Sequence, residues 1–356
     1  MLHIDPDEAI SAGGRKVREV DVIIVGGGPA GSSCAWRLRQ QGRNCLVLDR
    51  AEFPRLKLCA GWITPQVVRD LEIDPASYPL SFLTFQALDI HIKGWNFKLK
   101  TTQHSIRRVE FDAWLLERSG AEVVKHNVKE ITWDGERYVI DGVYAASHLV
   151  GAGGTRCPVH RTFFRDVYPR ENALQAAVLE EEFPYEWKDG SCHLWFFEDG
   201  VPGYSWYVPK AGGHLNVGIG ANAAQMKGQG TEIRTGWRHL EETLNRSGLV
   251  TGQSFEPAGY TYYARNDREV LRVGNAYLAG DSAGLATRDM FEGIGPAVAS
   301  GIRAADSIAI GRAYELSDVP RHSLPNMLAK KALEHFLVGR ALKRRAPAPQ
   351  RATAAR

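Results

Sequence analysis

Three glycines set the first chemical expectation. Gly26, Gly28 and Gly31 stand at GxGxxG spacing, where each serves a separate purpose. One makes a tight turn, one lets the backbone approach a pyrophosphate, and one packs a helix closely on a strand. Asp49 follows at the distance, about twenty residues, at which an acid can accept a hydrogen bond from a ribose hydroxyl. The residues between them supply the elements that hold this chemistry. Val22–Val25 is an apolar, β-branched run of the kind found in buried parallel strands. A helix is expected from Pro29 to Gly42, with its free N–H groups and positive dipole end facing a diphosphate. Asn44–Leu48 is a second buried strand closing on Asp49. Strand, glycine turn, helix, strand and acid in this order predict a dinucleotide site that also takes in Pro29, Ala30 and Arg50.

A second set of reactive residues lies just beyond. In Phe53–Gly61 a proline and a glycine bracket a loop with two cations, Arg55 and Lys57, and a thiol, Cys59. A loop leaving the second strand of a dinucleotide fold can pass over the ligand, which places Lys57, Cys59 and Ala60 at the site. Arg55 and Lys57 either bind an anionic group or are solvated. The five cysteines (34, 45, 59, 157 and 192) include no CxxC pair, so no disulfide framework, iron–sulfur cluster or metal site is expected, and the compartment is a reducing cytoplasm. A net charge of +3 is too small to argue for nucleic acid. The N-terminus carries no apolar signal core, and no apolar run approaches a bilayer span.

The rest of the chain must position these groups. Residues 83–101 alternate apolar and polar about a Lys93-Gly94 turn, a hairpin foreign to a parallel nucleotide sheet. A helix with Phe111, Trp114 and Leu115 on one face follows, then strands at Val123–Lys125 and Tyr138–Ile140, and a run through Val150 to Gly151-Ala152-Gly153-Gly154. From Leu174 to Tyr263 alternating segments separated by glycine turns predict an antiparallel meander. Ile233, Trp237, Leu240 and Leu244 mark an amphipathic helix. Ala276–Leu278 is a further strand, Pro296 is expected to open a helix running to about Arg312, and Arg321–Arg345 reads as another helix.

Four motifs together resemble the FAD-dependent oxidoreductases built like p-hydroxybenzoate hydroxylase, and within them the geranylgeranyl reductase family, over about residues 20–312. They are the glycine unit, the Phe53–Gly61 loop (similar to PRxKxCGG), Arg108-x-x-Phe111-Asp112, and Gly280-Asp281-Ser282-Ala283-Gly284 followed by Glu292-Gly293-Ile294. A fifth, Tyr204-x-Trp206-x-x-Pro209-Lys210 with Asn216-Val217-Gly218, resembles the reductases' YxWxFP signature. The resemblance implies FAD, with Arg108 at its phosphate or ribityl region, Asp281 accepting from a ribityl hydroxyl, and Gly151, Gly153 and Gly280 along it. Gly293, Ile294 and the Pro296 helix would meet the pyrimidine end. Partial positive charge there stabilises the anionic reduced flavin. It also implies that the Cys59 thiol lies beside the flavin as a proton donor. Tyr204 and Trp206 share one strand face and either line an apolar cavity or pack in a core, while Tyr207 takes the other face. One departure is Gly153-Gly154, where the hydroxylases of this fold carry Asp-Gly. It weighs against an aromatic hydroxylase and leaves the electron donor, NAD(P)H or a ferredoxin-like protein, open.

The expected fold is α/β: a Rossmann-like FAD-binding domain with a parallel sheet (20–82, 103–165 and 265–312) and a second, substrate domain with an antiparallel sheet (83–102 and 166–264). A flexible leader (1–19), a C-terminal helical segment (313–345) and a disordered basic tail (346–356) complete it. The expected activity is hydride transfer from reduced FAD to carbon–carbon double bonds of an isoprenoid or other apolar substrate, with a proton from Cys59 or an ordered water. The C-terminal helix and basic tail either rest peripherally on the anionic inner surface of the membrane or are simply solvated charge. Two rivals stand beside it. A flavin monooxygenase or halogenase is one, because YSWYVP is also similar to the halogenases' WxWxIP, although their lysine motif has no counterpart here. The other is a flavoprotein relaying electrons to a quinone.

Overall fold

A computed structural model describes residues 8–10, 16–323 and 327–339. Strand β1 (Glu8–Ile10) pairs antiparallel with the start of β2 (Lys16–Val25). The first long strand therefore begins at Lys16, inside the stretch expected to be a loose leader. Its polar start pairs with β1, and Arg18 meets Glu122 while Glu19 meets Arg137 in partly exposed ion pairs. Helix α1 (Pro29–Gln40) and the fully buried β3 (Cys45–Asp49) complete the βαβ unit. Strand β4 (Trp62–Ile63) and α2 (Pro65–Asp70), capped by the Thr64 hydroxyl, lead to the hairpin of β5 (Phe82–Ile92) and β6 (Trp95–Ile106). Lys93 and Gly94 both have positive φ, as a two-residue hairpin turn requires.

Next come α3 (Arg108–Arg118), β7 (Glu122–Lys125), β8 (Ile131–Trp133), β9 (Tyr138–Ile140) and β10 (Tyr144–Gly151). The meander is β11 (Gln175–Pro184), β12 (Cys192–Phe196), β13 (Gly203–Lys210) and β14 (His214–Asn222), followed by α4 (Ala223–Gln229), α5 (Ile233–Arg246) and β15 (Ala258–Tyr263). The chain ends with β16 (Arg272–Val273), β17 (Ala276–Leu278), α6 (Ile294–Ile310) and α7 (Met327–Glu334).

The first sheet runs β16-β17-β10-β2-β3-β7, parallel from β17 to β7, with β1, β9 and β8 added at its margins. Helices α1 and α6 pack together on it through small residues. A Cβ on Gly301 would lie 2.1 Å from the Ala30 carbonyl oxygen, so here the two backbones touch. The second sheet runs β15-β11-β14-β13-β12-β5-β6-β4 and is antiparallel except where β12 lies parallel to β5. That one parallel pairing joins the hairpin to the meander. Its two faces separate as alternation demands: Trp206 and Val208 go to one core, Tyr207 to the other with Val217, Trp237, Leu240 and Leu244.

Two helix boundaries correct the expectation. Helix α6 starts at Ile294, so Pro296 is within its first turn and not its first residue; the missing N–H is harmless there. Arg321–Ser323 are not helical. Arg321 instead donates to the Asn266 carbonyl at 2.9 Å, and helix resumes at Met327 before a π-type turn, His335–Gly339. Leu333, Leu337 and Val338 pack into the core of the second sheet, so these apolar side chains are turned inward. Residues 340–345 of the expected helix and the basic tail lie outside the described residues. Among the described residues no helix is long and apolar enough to cross a membrane.

Candidate active site

The elements enclose two adjoining cavities. The first, about 570 Å³, opens where β2, β3 and β10 end and α1, α3 and α6 begin. Gly26 has φ +109, and a Cβ there would stand 2.4 Å from the Ala152 carbonyl oxygen. On Gly31 it would stand 1.8 Å from the Gly26 oxygen, so helix and turn are pressed together. The α1 N-terminus at Gly28 has no side-chain cap and no acid in its first turn, leaving N–H groups for an anion. Arg50, Arg55, Lys57 and Arg108 face this cavity opposite two acids, Asp49 and Asp281. Uncapped N–H groups, a glycine cradle and surplus cations fit a dinucleotide with a diphosphate at its centre.

Asp49 is anchored from within, accepting the Gly27 N–H at 2.7 Å and the Ala51 N–H at 2.9 Å. Arg108 is held by Asp112 through two bonds, Nε to Oδ1 at 2.7 Å and Nη2 to Oδ2 at 2.8 Å. Burial works against its charge, but Asp112 and the Cys59 sulfur outweigh burial and keep the guanidinium protonated. Arg55 lies 3.6 Å from Asp112 and over the Phe53 ring, and the Lys57 ammonium sits 4.3 Å from the Tyr260 ring centroid. Both cations are therefore turned into the site and not out to solvent.

The second cavity, about 860 Å³, is lined mainly by apolar side chains of the second sheet, among them Leu88, Ile90, Leu194, Phe196, Tyr204 and Trp206, with Leu333 on its C-terminal side. Six residues wall both cavities: Cys59, Tyr260, Tyr262, Phe291, Gly293 and Ile294. Phe291 holds φ 53, a conformation uncommon for a non-glycine residue and concentrated at functional sites. The aromatic hydroxyls and indole are already satisfied: Tyr204 donates to the Met290 carbonyl, Tyr262 to the Phe291 carbonyl at 3.0 Å, and Trp206 to Asn216 Oδ1 at 2.7 Å. Tyr204, Trp206 and Tyr262 thus present ring faces, not donors, to the cavity.

The Cys59–Gly61 segment is pinned from the second sheet. Asn216 Nδ2 donates to the Cys59 carbonyl at 3.4 Å, and the wholly buried Lys210 donates to the carbonyls of Ala60 and of Ile106, the latter at 2.9 Å. Burial lowers the basicity of Lys210, with the nearby acids resisting. Gly61, at φ +62, would drive a Cβ to 2.1 Å from the Ile106 oxygen. Gly218 leaves room for Trp206, since a Cβ there would meet the indole at 2.2 Å. Gly218→Ala is expected to cost about 1–3 kcal/mol by overpacking, measured as a lower denaturant midpoint.

Most of the expected site residues line these cavities. Gly26, Gly28, Pro29, Ala30, Asp49, Arg50, Lys57, Arg108, Gly153, Asp281, Gly293 and Ile294 border the first, Ala60, Tyr204 and Trp206 the second, and Cys59 both. Gly31, Gly151 and Gly280 stand behind the first cavity's wall. Gly151 is packed against Val159 and Leu278, and Gly280 between Ala30 and Ala297. Sequence reasoning missed Tyr260, Tyr262, Phe291 and Glu180. The alternation of Tyr260 and Tyr262, and of Val178 and Glu180, along their strands was the available signal. Glu180 is 1% exposed, and burial pushes its carboxyl up to about 8.

Residues 21–114 match the FAD dependent oxidoreductase family. The chain is 30% identical to an uncharacterised protein of Methanosarcina barkeri, over 82% of this chain and 75% of that one. It is 26% identical to a menaquinone reductase of Mycolicibacterium smegmatis (90% and 83%) and 29% identical to a digeranylgeranylglycerophospholipid reductase of Methanopyrus kandleri (63% and 60%). Among solved structures it is similar to a geranylgeranyl bacteriochlorophyll reductase-like protein of Thermoplasma acidophilum, with TM-score 0.69 and 19% identity, over 91% of this chain and 85% of that one. It is also similar to a flavin-dependent brominase, with TM-score 0.64 and 20% identity, over 83% and 81%. At these identities the structural likenesses speak to the fold alone.

Proposed function

Because the chain belongs to the geranylgeranyl reductase family of FAD-dependent oxidoreductases, we propose that it saturates carbon–carbon double bonds of an isoprenoid chain or a similar apolar substrate. The observation that carries this reading is the junction of a polar, cationic cavity with a larger apolar one across a single shared wall. Gly26, Gly28 and the α1 N-terminus would hold the cofactor's diphosphate, Asp49 its adenosine ribose, and Arg108 and Asp281 its ribityl region. Gly293 and Ile294 would bring the positive end of α6 to the flavin ring. When bound and reduced, FAD supplies hydride.

The chain's own part is positioning, dryness and a proton. Tyr204 and Trp206 have spent their donors on Met290 and Asn216, so the apolar wall offers a water-poor bed for a prenyl chain. Asn216 and Lys210 fix Cys59 at the junction, where its sulfur accepts the Gly61 N–H at 3.4 Å and its thiol, or an ordered water, can hand a proton to substrate. Electrons enter from an external donor, NAD(P)H or a ferredoxin-like protein. Substrates of this kind would bring the protein to the inner membrane surface by peripheral contact.

The test is anaerobic. Enzyme reduced with dithionite and freed of excess reductant is mixed with a geranylgeranyl lipid or with oxygenated buffer. Rapid recovery of oxidised-flavin absorbance with the lipid, and a product heavier by two hydrogens per bond, is the expected result. An inert lipid, with oxygen yielding a hydroxylated or halogenated product, would overturn it in favour of a monooxygenase or halogenase.

A further inference from the structure

Glu180 lies on β11 on the same face as Ala176 and Val178, and lines the apolar cavity. It is the first of three consecutive glutamates, and the other two are occupied. Glu181 accepts the Glu256 N–H at 2.6 Å, and Glu182 pairs with Arg107 at 2.8 Å. The Oε2 of Glu180 is enclosed and has no hydrogen-bond partner. Opposite it on β14 stands Gly218, where a Cβ would meet the Glu180 Cβ at 2.8 Å as well as the Trp206 ring. The bare backbone of Gly218 is what lets carboxyl and indole share the wall.

An unpaired carboxylate in such a place is costly, so the group keeps its proton. Burial is the leading cause of its raised pKa, opposed by Lys57, Lys210 and Arg108 and reinforced by Glu182. The titratable and charged groups around it are thus Lys57 and Cys59 from the loop after β3, Arg108 from α3, Lys210 from β13, Tyr260 from β15 and Glu182 from its own strand. Tyr260 also reaches the cofactor cavity. A neutral acid stands in an apolar chamber, with Lys57, Lys210 and Arg108 near enough to favour the charge it would leave.

We propose that Glu180, in place of the Cys59 thiol or an ordered water, is the catalytic acid, delivering its carboxyl proton to one carbon of the substrate double bond. The assignment rests on the reductase reading above. The Glu180 O–H bond breaks, the alkene π pair forms the new C–H bond to that proton, and the hydride with its two electrons bonds to the other carbon. Glu180 is left as a carboxylate within the electrostatic influence of Lys57, Lys210 and Arg108, and regains its proton from water.

The experiment compares holoenzyme forms of wild type, Glu180→Gln and Cys59→Ala in the anaerobic reoxidation assay with a geranylgeranyl lipid from pH 5.5 to 9.5. Glu180→Gln is expected to slow reoxidation by about 10²–10⁴-fold at unchanged FAD content, and to abolish a fall in the wild-type rate above about pH 8. Two further readouts need no turnover. Infrared spectra should show a protonated-carboxyl band at pH 7 that Glu180→Gln lacks. Because the native state holds a proton that the unfolded chain gives up above its ordinary pKa of 4.5, wild type should lose thermal stability relative to Glu180→Gln as pH rises from about 4.5 to 8. An inert wild type overturns the reductase reading and this role with it. An active wild type with unimpaired Glu180→Gln, or a slowing seen only in Cys59→Ala, overturns the role of Glu180 alone. So does the absence of the carboxyl band.

Discussion

Arg108→Met is expected to destabilise the protein by about 3–5 kcal/mol, the usual loss when one partner of a buried ion pair is removed. Asp112 is fully buried, and both its oxygens are satisfied by the Arg108 fork. Arg55, at 3.6 Å, is too distant to replace that pair. The double variant Arg108→Met with Asp112→Leu should recover most of the loss, since two apolar groups replace two charges. FAD affinity should not recover, because Arg108 also faces the cofactor cavity. Denaturation midpoints and flavin absorbance, measured on the single and double variants, separate the two roles. Recovery of both would show that Arg108 holds the fold and nothing else.

Gly31→Ala is expected to yield protein with little bound flavin. An added Cβ would press on the Gly26 oxygen from 1.8 Å, a backbone atom that cannot rotate away. Either α1 lifts from the strand or the Gly26 turn opens, and both movements displace the uncapped N–H groups that would meet the diphosphate. Overpacking of this kind costs about 1–3 kcal/mol, and the same distortion expressed in binding corresponds to FAD affinity weaker by about 5–150-fold. The ratio of flavin to protein absorbance after purification, and after titration with added FAD, checks it. Full flavin occupancy would sink the cradle argument.

The βαβ unit was legible because its signals are local. Val22–Val25, the glycines, Pro29 and Asp49 each mark their own conformation, and α1 and β3 follow them closely. The alternation of Tyr204 and Trp206 likewise told their shared face. What depends on distant partners was not legible. Lys16–Glu19 look like a polar leader until β1, Glu122 and Arg137 pair with them. No periodicity records that β12 lies parallel to β5, since the two strands meet from widely separated parts of the chain. In Leu-Glu-Glu-Glu-Phe the alternation with Val178 puts Glu180 and Glu182 on one face but does not say which is buried, and the partners of Glu181 and Glu182 and the pairing of Glu180 with Gly218 settle it.

The order of strands in the first sheet also sets a timetable for synthesis. Strand β10 completes at Gly151, but its neighbour β17 ends at Leu278, 127 residues later (278 − 151). At ribosomal speeds of about 5–20 residues per second, that edge of apolar backbone waits roughly 6–25 s for its partner. Asp281 and the start of α6 emerge later still, so the nascent chain lacks part of the cofactor cavity throughout the interval. The exposed edge is short, because β9 already covers Tyr144–Ala146 and only Leu149–Gly151 wait for β17, and a short edge offers little backbone for another chain to pair with.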